Sequence, residues 1–551
     1  YGFHAPNMQH TYHCVDPETT ELEMKTTDLQ WYDLFHLNGT RRDFLRLSSS
    51  VAALLATGCY RGGDQWGLES VSSYPFTLGV ASGDPAPDGM VLWTRLAREA
   101  LEGVGALANP VRAYFEIAHD EGFTRMAQTG STLATPELGH SAHAEIVGLD
   151  PDRWYFYRWM VGGEVSAVGR AKTAPAVGAT VDELRFAFAS CQHYEVGYFT
   201  SLEHLSREDV DFAVHLGDYI YEYAEHDGDT VRHHEGPEIV TLDHYRNRYT
   251  QYKSDPALQA AHAAMPWIMT FDDHEVDNNW ASVFAQDDQS PEQLMLRRAS
   301  AFQAYYEMMP LRTSTVRDGP NMQVFRRLNF GNLIQMNVLD TRQYRSDQPC
   351  SDGRVPTCAE HISPEQSILG AAQRDWLFEG LAVSGAGWNV MAQQVMVARL
   401  RGESDEGDDT WAMDKWDGYP MERRAFLDHL ESTEVNNPVV LTGDIHSNWV
   451  ADLHTDFDDL SSPVVGTEFV GTSLSSGGDG ADMTNGGRAS LSHNPHIKFY
   501  NGQRGYVTAT VTPDTWTSEY KVVDKVSEPG GSLSTRATFV VESGSPGAQE
   551  D

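Results

Sequence analysis

Five groups of potential ligands each stand just past an apolar run in this chain. Cys191 ends the run Leu184–Cys191 (LRFAFASC). Gly217-Asp218-Tyr219-Ile220-Tyr221 follows Val210–Leu216, and Asp272-Asp273-His274-Glu275 follows Pro266–Phe271. Asp277, Asn278 and Asn279 come directly behind that group. Asp340-Thr341-Arg342-Gln343 follows Leu333–Leu339, and Gly443-Asp444-Ile445-His446 follows Pro438–Leu441. These residue types suit a multi-metal centre. A glycine permits the tight turn that presents Asp218, where a carboxylate can bridge two cations. Tyr221, three residues on, can reach the same metal as a phenolate. Thiolate and phenolate together favour trivalent iron over Mg²⁺ or Ca²⁺, which prefer carboxylate, carbonyl and water. Asp444 and His446, one residue apart, can face one cavity. Arg342 offers a planar fork for a phosphoryl group.

Each group has a plainer reading. Gly-Asp turns are common, and Tyr221 could be a core tyrosine. Asp272–Asn279 reads as a solvated acidic loop, and Arg342 as a surface partner of Asp340. Cys191 could be a buried structural thiol. The shared position past a strand-like run favours chemistry, because open α/β sheets bind ligands at the carboxyl ends of their strands.

The elements that must position these groups alternate from Leu184 onward. Strand-like runs (184–191, 210–216, 266–271, 333–339, 388–392, 438–441) are separated by stretches with helical spacing, notably 291–309 and 364–381. This alternation predicts a layered α/β domain over 183–543. Residues 471–488 are rich in Gly and Ser and read as a flexible loop near the site. Residues 71–175 have a different texture. Short runs at Val91–Thr94, Ala113–Ile117, Ala144–Val147 and Trp154–Met160 lie between Gly, Pro and Asp turns, which predicts a small separate β-sandwich. Residues 172–178 read as a linker, and the polar tail 544–551 as disordered.

The 551 residues carry a net charge of −39, which argues against general affinity for nucleic acid. Such an excess of acid makes a solvated surface. Thr40-Arg41-Arg42-Asp43-Phe44-Leu45 and the apolar stretch behind it resemble a twin-arginine export signal. Residues 40–70 are therefore expected to be signal and linker, and the extension 1–39 is left unassigned. Thr57-Gly58-Cys59 offers a candidate lipid anchor at Cys59, with Ala56 a poor match for the usual leucine. An exported chain permits disulfides, and Cys350 and Cys358 flank a short loop across which they could pair.

Taken together, Phe76–Pro85, Trp93-Thr94-Arg95, Ser190-Cys191-Gln192, Gly217–Glu222, Phe271–Trp280, Leu339–Tyr344 and Thr442–His446 resemble the PhoD-type alkaline phosphatases, within the wider calcineurin-like metallophosphoesterases. The resemblance spans roughly residues 74–545. It implies an α/β fold, a layered metallophosphoesterase-type β-sandwich flanked by helices. A small all-β domain of immunoglobulin or fibronectin type precedes it. It implies one Fe³⁺ with two Ca²⁺. Carried over residue by residue, it sets Cys191, Asp218, Tyr221 and His446 around iron. Asp218 would bridge to calcium, helped by Asp273, Asn279 and Asp444, with Asn278 an alternative to its neighbours. Where the wider superfamily has Asn-His-Glu, this chain has Asp273-His274-Glu275. Gln394 stands where that superfamily often has a metal-binding histidine, and reads as a weaker ligand suited to Ca²⁺.

The expected activity is exported, metal-dependent hydrolysis of phosphate monoesters, with diesters as a further substrate class, releasing inorganic phosphate. Metals would polarise the phosphoryl oxygens and activate water, so no serine nucleophile is needed. His274 or a water would protonate the leaving oxygen, and Arg342 would clamp the phosphoryl group. The expected partners are small phosphate esters and the twin-arginine machinery. The expected location is periplasmic, extracellular or on the outer surface. A phosphodiesterase or phospholipase D-like hydrolase on the same scaffold is the alternative, since fold does not fix substrate. A surface phosphate- or glycan-binding protein with a degenerate metal centre is a remoter one.

Overall fold

The computed structural model describes residues 67–551, apart from 227, 229, 288, 317, 318 and 405. The twin-arginine motif and Cys59 lie outside the described residues. Eight strands come first: β1 (Val80–Ala86), β2 (Gly89–Arg95), β3 (Val111–Ala118), β4 (Met126–Ala134), β5 (Ser141–Glu145), β6 (Trp154–Val161), β7 (Glu164–Val165) and β8 (Gly169–Lys172). The next ten are β9 (Leu184–Ala189), β10 (Phe212–His215), β11 (Trp267–Met269), β12 (Arg326–Phe330), β13 (Ile334–Val338), β14 (Arg354–Val355), β15 (Trp388–Ala392), β16 (Gly402–Glu403), β17 (Asp409–Ala412) and β18 (Pro438–Thr442). The last eight are β19 (Asn448–His454), β20 (Val464–Val470), β21 (Gly480–Ala481), β22 (Ile497–Gln503), β23 (Gly505–Val511), β24 (Thr515–Val523), β25 (Leu533–Glu542) and β26 (Ser545–Glu550).

Two large mixed sheets form the catalytic core. One has ten strands in the order β26-β25-β24-β23-β9-β10-β11-β1-β2-β5, the other eight in the order β12-β13-β15-β18-β20-β19-β22-β21. Strands β9, β10 and β11 run parallel in the first, and β13, β15 and β18 in the second. Their sequences explain the layering. In β9, Leu184, Phe186 and Phe188 point into the core between the sheets, while Ala187 and Ala189 face the helices outside. Period two sorts Phe212 and Val214 from Ala213, and Ile268 from Trp267 and Met269, in the same way. In the second sheet Ile334, Met336, Val338, Trp388, Val390, Val439 and Leu441 close the shared core, and Met391 and Val440 face outward. Helices therefore cover both outer faces. The longest on the first sheet's side, Pro291–Met308, begins with proline and a capping box of Ser290 and Gln293. Helices Gly370–Ala382 and Pro420–Ser432 cover the second sheet. No described helix is long and apolar enough to cross a membrane.

Two expectations change. Residues 71–175 do pack two β layers around Val80, Leu92, Phe115, Tyr157 and Trp159. One of these layers is shared with the larger domain, however. β1, β2 and β5 continue the catalytic ten-stranded sheet through the β1–β11 pairing, and only β3, β4, β6, β7 and β8 form a sheet of their own. The tail is not disordered. Ser545–Glu550 is the edge strand β26, paired with β25, and Ala548 is its buried residue. Its polar composition is that of an exposed sheet edge. Cys350 and Cys358 form the expected disulfide, and Cys191 is free and buried.

Candidate metal centre

The parallel strands of both sheets end at one place. β9 delivers Cys191, β10 delivers Asp218 and Tyr221, and β11 delivers Asp272, Asp273 and His274. From the other sheet, β13 leads to Arg342 and β18 to Asp444 and His446. Backbone bonds stitch these ends together, with Cys191 N donating to Gly217 O (3.0 Å) and Gly443 N to Gln394 O (2.9 Å). Two glycines permit the close approach. A Cβ on Gly217 (φ +114°) would lie 2.5 Å from Asp272 Cβ, and one on Gly443 would lie 2.6 Å from Ser190 Oγ.

Three overlapping clusters result. Donor atoms of Cys191, Asp218 and His446 lie within 4.8 Å of one another, as do those of Asp218, Asp273 and His274, and those of Asp272, Asp273 and Asp444. Tyr221 joins the first cluster. Its hydroxyl donates to Asp218 Oδ2 (3.1 Å) and lies 3.1 Å from His446 Nε2 and 2.8 Å from Ser476 Oγ. Asn279 joins the second, its backbone N–H donating to Asp273 Oδ2 (2.8 Å). Cys191, Asp218, Asn279, Asp444 and His446 all have positive φ, between 49° and 62°. Left-handed backbone costs a non-glycine residue roughly 1–2 kcal/mol, and such strain gathers at functional sites. The centre is open on one side, where Asn278, Asn279, Asp444, Ile445 and His446 are only partly buried.

The electrostatics call for cations. Burial, and then Asp218, push the Cys191 thiol well up. Burial and the charges of Asp218 and Cys191 do the same to the Tyr221 phenol. Burial, helped by Asp273, Asp272 and Glu275, lifts Asp218 well above the carboxylate range, and Asp272 is raised likewise. His446 is pushed down to about 3 by burial and the nearby Arg504. Asp273 is held low, because Arg342 and His274 outweigh its burial. The protein alone thus disfavours most of the anions it has assembled, whereas a bound cation would favour every one. Three buried carboxylate oxygens, Asp218 Oδ1, Asp272 Oδ2 and Asp273 Oδ1, have no hydrogen-bond donor among the described residues. Such orphans are costly unless something unseen satisfies them. Soft thiolate beside phenolate and imidazole, next to a carboxylate-rich pocket, fits one transition metal with hard cations alongside.

His274 faces this centre. Its Nδ1 pairs with Glu222 Oε2 at 2.7 Å, and its ring lies 4.1 Å from that of Tyr221. Burial opposes its charge, but Glu222, Asp273 and Asp218 hold the imidazolium well above the usual range.

Two expected roles are corrected. Arg342 is not a surface partner of Asp340, and two of its three nitrogens are held by carboxylates rather than open to a clamp. It is fully buried, its Nε donating to Asp272 Oδ1 (2.5 Å) and a terminal nitrogen to Asp414 Oδ1 (2.7 Å). The other terminal nitrogen lies 3.4 Å from Asp273 Oδ1. The fork knits the acidic cluster together, because Asp272, Asp273, Asp414 and, at 4.0 Å, Asp444 pack closely enough to need a fixed cation. Asp340 instead caps its own turn, accepting from Arg342 N and Gln343 N. Gln394 is not a ligand. Its Oε1 accepts from Thr341 N (3.1 Å) and Thr341 Oγ1 (2.8 Å), and its Nε2 donates to Thr270 Oγ1 and Leu339 O (both 2.9 Å). It is a strut between strand ends.

Sequence reasoning also passed over residues that hold the ligands. Glu275 accepts from Tyr219 N (2.6 Å), Asp272 N (2.8 Å) and Asp218 N (3.1 Å), so one carboxylate orders two ligand-bearing turns. Asp414 gathers Arg342 and Arg345, and Lys415 pairs with Asp444. Only the short run Trp411-Ala412-Met413, at the end of the four-residue strand β17, precedes them, too little to read as a core strand end. The loop 471–488 does reach the site through Ser476, but Ser473, Ser475 and Ser476 are buried rather than loose.

Comparison with known proteins agrees with this geometry. The family model described as PhoD-like phosphatase matches residues 186–520, and that of the PhoD-like phosphatase N-terminal domain matches 64–175. Alkaline phosphatase D of Bacillus subtilis (strain 168) is 49% identical over 483 residues, 87% of this chain and 83% of that protein. The solved structure of PhoD matches with a TM-score of 0.84 at 50% identity, covering 87% of this chain and 92% of that one. A similarity to GAP50, the anchor in the inner membrane complex of Plasmodium, is faint, with 12% identity and a TM-score of 0.35 over 66% of this chain and 90% of that one. The chain belongs to the PhoD-like phosphatases and is a phosphoric ester hydrolase of the alkaline phosphatase D type.

Proposed function

We propose that this phosphatase depends on one Fe³⁺ and two Ca²⁺. Cys191, Asp218, Tyr221 and His446 would hold the iron. Asp218, Asp273, Asn279 and Asp444 would hold calcium, with Asp272 contributing its orphaned oxygen. The observation that carries this reading is the set of three buried carboxylate oxygens that accept no hydrogen bond from the described residues, beside a thiol and an imidazole. When bound, such cations supply Lewis-acid polarisation of phosphoryl oxygens and a lowered pKa for water.

The chain's own residues do the rest. Arg342, fixed between Asp272 and Asp414, keeps the acidic turns at their spacing in the absence of substrate. Glu222 holds Nδ1 of His274, so the proton on His274 Nε2 is free for the leaving ester oxygen. The Glu222 carboxylate beside Nδ1 favours the protonated ring. The substrates are small phosphate esters. Monoesters are the main class proposed and diesters a second, which paired chromogenic mono- and diester assays separate.

Export by the twin-arginine route, to the periplasm, the exterior or the outer surface, belongs to the same proposal. Thr40–Leu45 supports it, as does the Cys350–Cys358 disulfide, a bond typical of oxidising compartments. The test of the metal reading is Cys191→Ser. A neutral hydroxyl replaces a soft anionic ligand, so the variant should fold normally and lose iron and most activity. Full activity with normal iron content would remove Cys191 from the ligand set.

A further inference from the structure

Asn279 has a side chain with two nearly isosteric ends, and only one of them can bind a cation. The carbonyl oxygen is a calcium ligand, whereas the NH₂ end is a donor that would repel one. Something must therefore decide which end faces the centre. The Nδ2 of Asn279 donates to Asp352 Oδ2 at 2.9 Å. A carboxylate only accepts, so turning the amide over would set two acceptors against each other. The oxygen end of Asn279 has no hydrogen-bond donor among the described residues. Its backbone is also held from both sides. The N–H reaches Asp273 Oδ2 (2.8 Å), and the carbonyl accepts from Gln348 Nε2 (2.5 Å), which also donates to Asp414 Oδ1 (2.7 Å).

Asp352 is itself firmly placed. Gln286 Nε2 donates to its Oδ2 (3.0 Å), and Gly353 N to its Oδ1 (2.5 Å). It stands in a turn where Cys350, Ser351, Asp352 and Gly353 all have positive φ (59°, 70°, 61° and 80°). L-residues seldom adopt three such conformations in a row without being held. The disulfide from Cys350 to Cys358 ties the turn at one end, and Met413 N donating to Gly353 O (2.9 Å) ties it to the end of β17. Asp352 is only partly buried, so it contributes little to any core.

We propose that Asp352 is a positioning residue for the calcium side of the centre: it holds the Asn279 amide so that the carbonyl oxygen faces the cation. This rests on the calcium assignment proposed above. Partners that orient a metal ligand are commonly worth about tenfold or more in metal affinity.

The test is calorimetric titration of Ca²⁺ into the full-length enzyme after calcium removal, with iron content measured alongside. Asp352→Asn tolerates the left-handed backbone but ceases to select an amide end. It should weaken calcium binding about tenfold and leave iron unchanged. Asn279→Asp supplies the control, because both ends of that side chain are oxygens. In that background Asp352 only repels its neighbour, so Asp352→Asn should leave calcium binding unchanged or strengthen it. A merely structural role would weaken binding in both backgrounds, and that result overturns the proposal. So does wild-type calcium affinity in the single Asp352→Asn variant. If the unaltered enzyme takes up no calcium, the cation assignment itself falls, and this inference with it.

Discussion

Replacing Glu275 by glutamine tests how far one buried carboxylate organises the centre. The change is nearly isosteric, so packing is preserved and only hydrogen bonding and charge differ. Glu275 accepts three backbone N–H groups, from Tyr219 at 2.6 Å, Asp272 at 2.8 Å and Asp218 at 3.1 Å. Two of these converge on Oε2 and one on Oε1. A glutamine has one acceptor end. Its best arrangement keeps the Asp218 and Asp272 bonds and turns NH₂ toward Tyr219 N, donor against donor. One charge-assisted bond is lost, worth about 1.5–3 kcal/mol, and one buried donor is orphaned at a cost of about 1–3 kcal/mol. The expected destabilisation is about 3–5 kcal/mol, read as a shift in urea midpoint at unchanged m-value. Activity should fall further than stability alone requires. The relaxed turn carries Asp218, and displacements near 1 Å are worth about a hundredfold in rate. The assay is kcat on a chromogenic monoester with cations in excess, alongside metal content. A Glu275→Gln enzyme with wild-type midpoint and kcat would refute the idea that this carboxylate holds the two turns.

Lys253 should confer a pH-dependent instability. Its ammonium is buried 4.2 Å from the Trp93 ring centroid and 5.3 Å from that of Tyr219, and burial pushes its pKa down from 10.5 to about 7. The unfolded chain then holds the extra proton between about pH 7 and 10.5, so stability gains as pH rises through that window. Lys253→Met should stabilise the enzyme most below pH 7 and little by pH 10. The ceiling is about 5 kcal/mol, less about 2 for the lost cation–π contacts. A gain that is flat between pH 6 and 10 in urea denaturation would contradict it. Replacing Arg41 and Arg42 by lysine should strand folded enzyme in the cytoplasm, with Cys350 and Cys358 reduced. Undiminished exported activity on fractionation would remove Thr40–Leu45 as the signal.

The strands that carry the centre were legible because each is an apolar run with two buried faces. Trp388–Ala392 was read to the residue, and the helix expected at 291–309 ends one residue earlier, at Met308. The helix expected at 364–381 starts only at Gly370, because Glu422 accepts the backbone N–H groups of Ile368 and Leu369 and holds that stretch as a turn. The merger of β1, β2 and β5 with the catalytic sheet left no local mark, since it rests on a single parallel pairing of Gly83 with Trp267. The tail misled for a different reason. An exposed edge strand and a disordered tail share a polar composition, and only pairing with β25 distinguishes them. At the site, residue type and strand-end position found the groups that gather, but not their orientation. Gln394 has the right chemistry and the right place, yet its polar atoms are already engaged by neighbours, and Arg342 is held through two of its three nitrogens. Glu275, Asp352 and Asp414 act on backbone groups or on other side chains, relations that spacing along the chain does not encode.

Metal analysis of enzyme purified without chelator, with the visible spectrum recorded on the same sample, tests the central claim most directly. The account predicts one iron and about two calcium ions per chain, with a visible band from the Tyr221 phenolate on Fe³⁺. That band should vanish or shift in Tyr221→Phe, and activity should be lost on calcium chelation and return on its addition. A colourless, fully active enzyme holding only zinc, or one whose activity survives calcium removal, would contradict it.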